Sequence, residues 1–157
     1  MKNLSILLLV LVAVGFATCK KTQTPFDPAK QAAADDASIR AYITAQKLDS
    51  VKKDTSGIYY KIITPGTGAY PTVNSSVNVN YQGSLLNGTV FAPESSTSGP
   101  LNNFIPGWEI GVPFINTGGT ILLLIPSRYA YGDASPGAGI PDNSVLIFTV
   151  KLVSFTN

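Results

Sequence analysis

Hydrophobic and polar positions change rhythm several times along the chain. Met1-Lys2-Asn3 is followed by Leu4 to Ala17, a run without a charged residue. A basic start, an apolar stretch of this length and small residues near its end predict a secretory signal over 1–18. The run is shorter than the about 18 residues that read as a spanning helix. From Lys20 to about Ala29 the chain is polar and carries two prolines, so a linker is expected over 19–31. From about Ala32 to Leu48 the spacing becomes helical. Ile39, Tyr42 and Ile43 form a narrow stripe at i, i+3, i+4, and Asp35 and Asp36 are expected in the first turn, where they favour the helix dipole. A helical spacer is therefore expected over 32–55, ahead of a single domain over 56–157.

Beyond Ser56-Gly57 the period shortens to two. Ile58, Tyr60 and Ile62 alternate with Tyr59, Lys61 and Ile63, until Thr64-Pro65-Gly66-Thr67-Gly68 breaks the pattern. Val77, Val79 and Tyr81 alternate with Asn78, Asn80 and Gln82, which predicts a half-buried strand with Tyr81 on its inner face. Asn87-Gly88 carries a hairpin signal, and Phe91 follows it. Pro93 to Leu101 reads as a short, Ser-rich loop. Ile121 to Ile125 is continuously apolar, as a central strand would be. From Ser144 to Phe155, the residues Leu146, Phe148, Val150 and Leu152 make one unbroken apolar face, with Phe148 inward.

Composition removes most chemistries. The 157 residues contain no His and one Cys. Histidine general bases and triads are excluded, as are most zinc or iron sites, internal disulfides and CxxC motifs. Net charge is +2, and most basic residues lie between Lys20 and Lys61. Beyond Lys61 only Arg128 and Lys151 remain, against Glu94, Glu109, Asp133 and Asp142. That balance makes no case for nucleic acid, which needs a basic face. The lysines read as a solvated stalk.

What remains is aromatic. One cluster is Phe104-Ile105-Pro106-Gly107-Trp108-Glu109. Another is Tyr129-Ala130-Tyr131-Gly132, followed by the loop Ser135-Pro136-Gly137-Ala138-Gly139-Ile140-Pro141. That loop does not fit GxGxxG and has no P-loop Lys, so it makes no case for phosphate. Taken alone, such aromatics are usually core.

The order of the motifs changes this. Val-Asn-Tyr-Gln-Gly-Ser-Leu at 79–85, Asn-Gly-Thr-Val-Phe at 87–91 and Ile-Pro-Gly-Trp-Glu at 105–109 come first. Ile-Pro-Ser-Arg-Tyr-Ala-Tyr-Gly at 125–132, Gly-Ile-Pro at 139–141 and Leu-Ile-Phe-Thr-Val-Lys-Leu at 146–152 follow. Together they resemble the FKBP-type peptidyl-prolyl cis-trans isomerase domain, over roughly the last hundred residues. Independently, Phe16-Ala17-Thr18-Cys19-Lys20-Lys21 resembles a bacterial lipobox, although Phe16 and Thr18 depart from its usual residues. That resemblance implies acylation at Cys19. Two or more acyl chains anchor a protein stably to a membrane.

The family resemblance implies an α+β fold, a twisted antiparallel β-sheet wrapped around one short α-helix. That helix would lie near Pro106 to Ile115, with Pro113 shortening it. It implies a pocket between helix and sheet. Tyr81, Phe91, Trp108, Tyr131 and Phe148 would act in catalysis; Phe104, Ile105 and Ile140 would bind substrate. The Ile105 backbone and the Tyr131 hydroxyl would offer hydrogen bonds to substrate carbonyls. No metal or cofactor is expected. The implied partners are X-Pro segments of exported proteins and, through Cys19, a membrane of the cell envelope, at the outer membrane or a periplasmic face. A monomer is expected. One departure stands out: most family members carry Asp after the pocket Phe, whereas Phe91 is followed by Ala92, with Glu94 as the only nearby acid. This leaves, as the alternative, a non-catalytic module of the same fold that binds proline peptides or acts as a chaperone.

Overall fold

The structure, a computed structural model, describes residues 26–137 and 139–157. The expected signal, the Cys19 anchor and the first part of the linker lie outside the described residues. The elements in chain order are helix α1 (Pro28–Ala45), strands β1 (Lys52–Lys53), β2 (Tyr59–Thr64), β3 (Ser76–Leu85) and β4 (Val90–Pro100), helix α2 (Pro106–Gly111), and strands β5 (Thr120–Ile125) and β6 (Leu146–Thr156). The strands form one sheet in the order β1-β2-β5-β6-β3-β4. Every pairing is antiparallel. The expected α+β architecture is present.

Alternation on the central strands divides the interior in two. Ile121, Leu123 and Ile125 of β5 point to one face and join Val77, Val79, Trp108, Val112, Leu146, Phe148, Val150 and Leu152. Leu122 and Leu124 point to the other face and join Ile39, Tyr42 and Ile43 of α1, with Tyr59 and Val145. The continuous apolar run on β5 thus faces a hydrophobic layer on each side of the sheet.

Helix α2 lies close on β5 because two glycines face the strand. A Cβ at Gly107 would sit 2.5 Å from Ile125, and one at Gly111 would sit 2.5 Å from Leu123. Pro106 occupies the first turn, where its missing N–H costs nothing. The helix stops at Gly111 and continues as a 3-10 turn, Val112–Phe114. Pro113 lacks the N–H that another α-helical turn would use, so the expected shortening occurs.

Four expectations are corrected. Helix α1 starts at Pro28, inside the expected linker 19–31, because the Asp27 side chain caps the N–H groups of Ala29 and Lys30 and Pro28 opens the first turn. Asp35 and Asp36 therefore sit mid-helix rather than in the first turn. The helix ends at Ala45, and the remainder of the expected spacer to residue 55 holds a turn, with Lys47 and Ser50 at positive φ, and then β1. Residues 93–100, expected as a loop, belong to β4. Its partner β3 supplies the pairing, with Tyr81 opposite Ser95 and Val77 opposite Gly99; tertiary context overrides weak local strand preference.

Candidate functional site

On the α2 side of the sheet, one cavity of about 620 Å³ opens between α2, β4, β6 and the loop that follows β5. Tyr81, Phe91, Phe104, Ile105, Trp108, Tyr131, Ile140 and Phe148 all line it. The eight residues singled out from sequence thus come together, from segments up to 67 positions apart (Tyr81 to Phe148).

Trp108 is the hub. Its ring centroid lies 5.1 Å from Tyr81, 5.2 Å from Phe104 and 5.3 Å from Phe148. The Tyr81 and Phe148 contacts are edge-to-face, the arrangement that ring quadrupoles favour. Phe91 meets Phe148 the same way at 5.5 Å. Trp108 is 3% exposed, and its Nε1 has no hydrogen-bond partner among the described residues. Such packing fixes the rings at the base of the cavity and leaves them little freedom to collapse into it.

The rim is positioned by loops. Tyr131, 39% exposed, follows the 3-10 turn Ser127–Tyr129. The Ser127 carbonyl accepts the N–H groups of Ala130 and Gly132, which flank Tyr131, at 2.9 Å each. Ile140 is held by its N–H donating to Gly137 at 3.0 Å and by the Ser135 hydroxyl donating to its carbonyl. Gly137 and Gly139 take positive φ there, which explains the glycine-rich loop. The Ile105 carbonyl accepts from Trp108 and Glu109 N–H at 2.8 and 3.3 Å, so what this position offers a bound molecule is its own N–H.

Among the described residues, the cavity wall carries no Asp, Glu, Lys or Arg. Residues 68–153 match the family described as FKBP-type peptidyl-prolyl cis-trans isomerase. The chain belongs to that family. A probable FKBP-type isomerase, FkpA, of Neisseria meningitidis is 42% identical over 67% of this chain and 40% of its own length. The outer membrane protein MIP of Legionella longbeachae is 35% identical over 80% of this chain and 56% of its own length. The chain therefore spans about half the length of such curated relatives. A crystal structure of a Pseudomonas syringae peptidyl-prolyl cis-trans isomerase superposes with a TM-score of 0.68 at 30% identity, covering 85% of this chain and 99% of that one.

Within this FKBP-type frame, Ala92 stands on the cavity wall. Glu94 does not take the place of an Asp there. It lines an adjoining polar groove that shares Tyr81 with the cavity and adds Asn80, Gln82, Thr120, Thr149 and Lys151, at a bulge between the Tyr81–Ser95 and Gly83–Ala92 pairs. Sequence reasoning missed Thr97, Asn103 and Pro136, which also border the cavity. Thr97 was hidden by the loop reading of 93–101. Gly83 was missed as well: a Cβ there would meet Phe91 at 2.5 Å and Phe148 at 2.9 Å. A glycine inside a strand pattern is the signal that could have found it.

Proposed function

We propose that the chain is a peptidyl-prolyl cis-trans isomerase that acts on X-Pro segments of exported proteins at the cell envelope. The observation that carries this reading is the convergence of eight apolar and aromatic residues on one uncharged cavity with the Tyr131 hydroxyl at its rim. Rotation about an X-Pro bond needs neither nucleophile nor cofactor. Its barrier is the loss of amide resonance, about 18–20 kcal/mol, and unaided it takes tens of seconds or more. The planar amide is more polar than the twisted one, so a dry aromatic cavity favours the twisted state. The proline ring would rest against Trp108 between Tyr81, Phe91 and Phe148. The Ile105 N–H and the Tyr131 hydroxyl would hold the flanking carbonyls while the intervening bond turns. This is differential binding of the transition state.

Ala92 favours a second reading, a module that binds proline segments without useful turnover. A protease-coupled assay on Leu-Pro and Phe-Pro peptides, with residues 20–157, separates the two. Acceleration above the uncatalysed rate supports the enzyme. Peptide binding without acceleration supports the module.

The placement at the envelope rests on the signal-like segment 1–18, on the lipobox resemblance at Cys19, and on the name of the Legionella relative. A domain over 56–157 carrying the site, preceded by a lipid-anchored linker, and a monomeric chain complete the reading.

A further inference from the structure

The most deeply buried acid among the described residues lies far from the cavity in sequence. Asp35, mid-way along α1, is 3% exposed. Its Oδ2 accepts the Ser127 N–H at 2.8 Å and the Ser127 hydroxyl at 2.7 Å. Its Oδ1 accepts from Gln31 Nε2 at 2.7 Å. Ser127 is itself 1% exposed, and its carbonyl takes the two N–H groups that flank Tyr131. Donor and acceptor sides of one buried residue are thus engaged in opposite directions, toward α1 and toward the cavity rim.

We propose that Asp35 is a positioning residue for Tyr131, so that α1, which lies outside the family-matched span 68–153, forms part of the supporting frame of the site. Two further contacts hold the same turn: the Tyr129 hydroxyl and Arg128 Nη2 both donate to the Ser56 carbonyl, at 2.9 and 2.6 Å. They hold the turn's far end. Among the described residues, only Asp35 holds Ser127 by both its N–H and its hydroxyl. Without it, the carbonyl that aims Tyr131 is attached to a residue whose buried donors lack acceptors, and the rim shifts to satisfy them. The inference rests on the isomerase reading insofar as Tyr131 contacts substrate.

A double-mutant cycle between Asp35→Ala and Tyr131→Phe tests this. It is read both as kcat/KM and as the Kd of an X-Pro peptide followed by Trp108 fluorescence. If Asp35 acts through the Tyr131 hydroxyl, Asp35→Ala lowers kcat/KM or affinity roughly fivefold or more in the wild-type background. In the Tyr131→Phe background it does so by less than about twofold, because contacting or linked residues are non-additive. Asp35→Asn rescues most of the loss, since its amide oxygen still accepts from Ser127 and the Gln31 amide can turn to match. Should Asp35→Ala not fold, Ser127→Ala removes the hydroxyl arm alone and enters the same cycle. Equal losses in both backgrounds, or no loss, overturn the proposal and leave Asp35 as a stability contact. A wild-type chain that binds the peptide without turnover overturns the isomerase reading alone, and the cycle is then decided on Kd. A chain that does neither overturns both.

Discussion

Gly83→Ala probes the cavity from behind its wall. The added methyl would lie 2.5 and 2.6 Å from two Phe91 ring atoms and 2.9 Å from one of Phe148. Carbon contacts are comfortable near 3.5–4.0 Å, so a ring must retreat by about 1 Å. Phe148 cannot retreat easily; it is 4% exposed and wedged against Trp108. Phe91 is half-buried with open cavity beside it, so Phe91 yields and the cavity narrows. Overpacking costs about 1–3 kcal/mol. Gly83 is not at positive φ, so stiffening the unfolded chain returns about 0.4–1 kcal/mol. The net loss is about 1–2 kcal/mol, a fall in Tm of roughly 3–8 °C for a chain of this size. In the protease-coupled assay the narrowing raises KM for Phe-Pro peptides more than it lowers kcat. A Gly83→Ala/Phe91→Leu double variant recovers part of the lost stability. Unchanged Tm and KM in Gly83→Ala would refute the packing argument.

Other predictions concern the helix and the anchor. Asp36 is held below the usual carboxylate range by hydrogen bonds from Lys53 and from the Tyr59 hydroxyl, at 2.5 and 2.7 Å. A lowered folded value means its stabilisation is present above the ordinary value near about 3.9 and is lost as pH falls through the folded one. Wild type is therefore expected to exceed Asp36→Asn in urea midpoint at pH 7, with the two converging in acid; a constant gap down to pH 2 would count against the linkage. Cys19→Ser should move the protein from the membrane fraction to the soluble one, and continued sedimentation with membranes would remove the lipid anchor.

Much of the site was legible because its residues sit in unbroken local patterns. The alternation at Val77, Val79 and Tyr81 and the apolar face from Leu146 to Leu152 each follow from a period of two with one buried side. The aromatics of 104–108 and 129–131 stand in motifs whose order carries the family resemblance. What escaped had several sources. Strand β4 is Ser-rich and carries Pro93, Gly99 and Pro100, so only its pairing with β3 makes it a strand. The start of α1 at Pro28 was readable from Asp27-Pro28, a capping pair that the linker reading absorbed. The Asp35–Ser127 contact spans 92 positions, and no local period encodes it. Ile62 and Ile63, on opposite positions of the alternating run, are both exposed, at 39% and 53%, because they lie near the end of β2, where neither hydrophobic layer reaches.

The second hydrophobic layer has a practical consequence for handling the protein. Tyr59, Leu122, Leu124 and Val145 are covered by Ile39, Tyr42 and Ile43 of α1. Trimming the chain to residues 56–157 removes that cover and presents a contiguous apolar surface to water, the kind of surface that promotes self-association. Solubility of the trimmed protein would then depend on residues that look, in sequence, like a mere spacer.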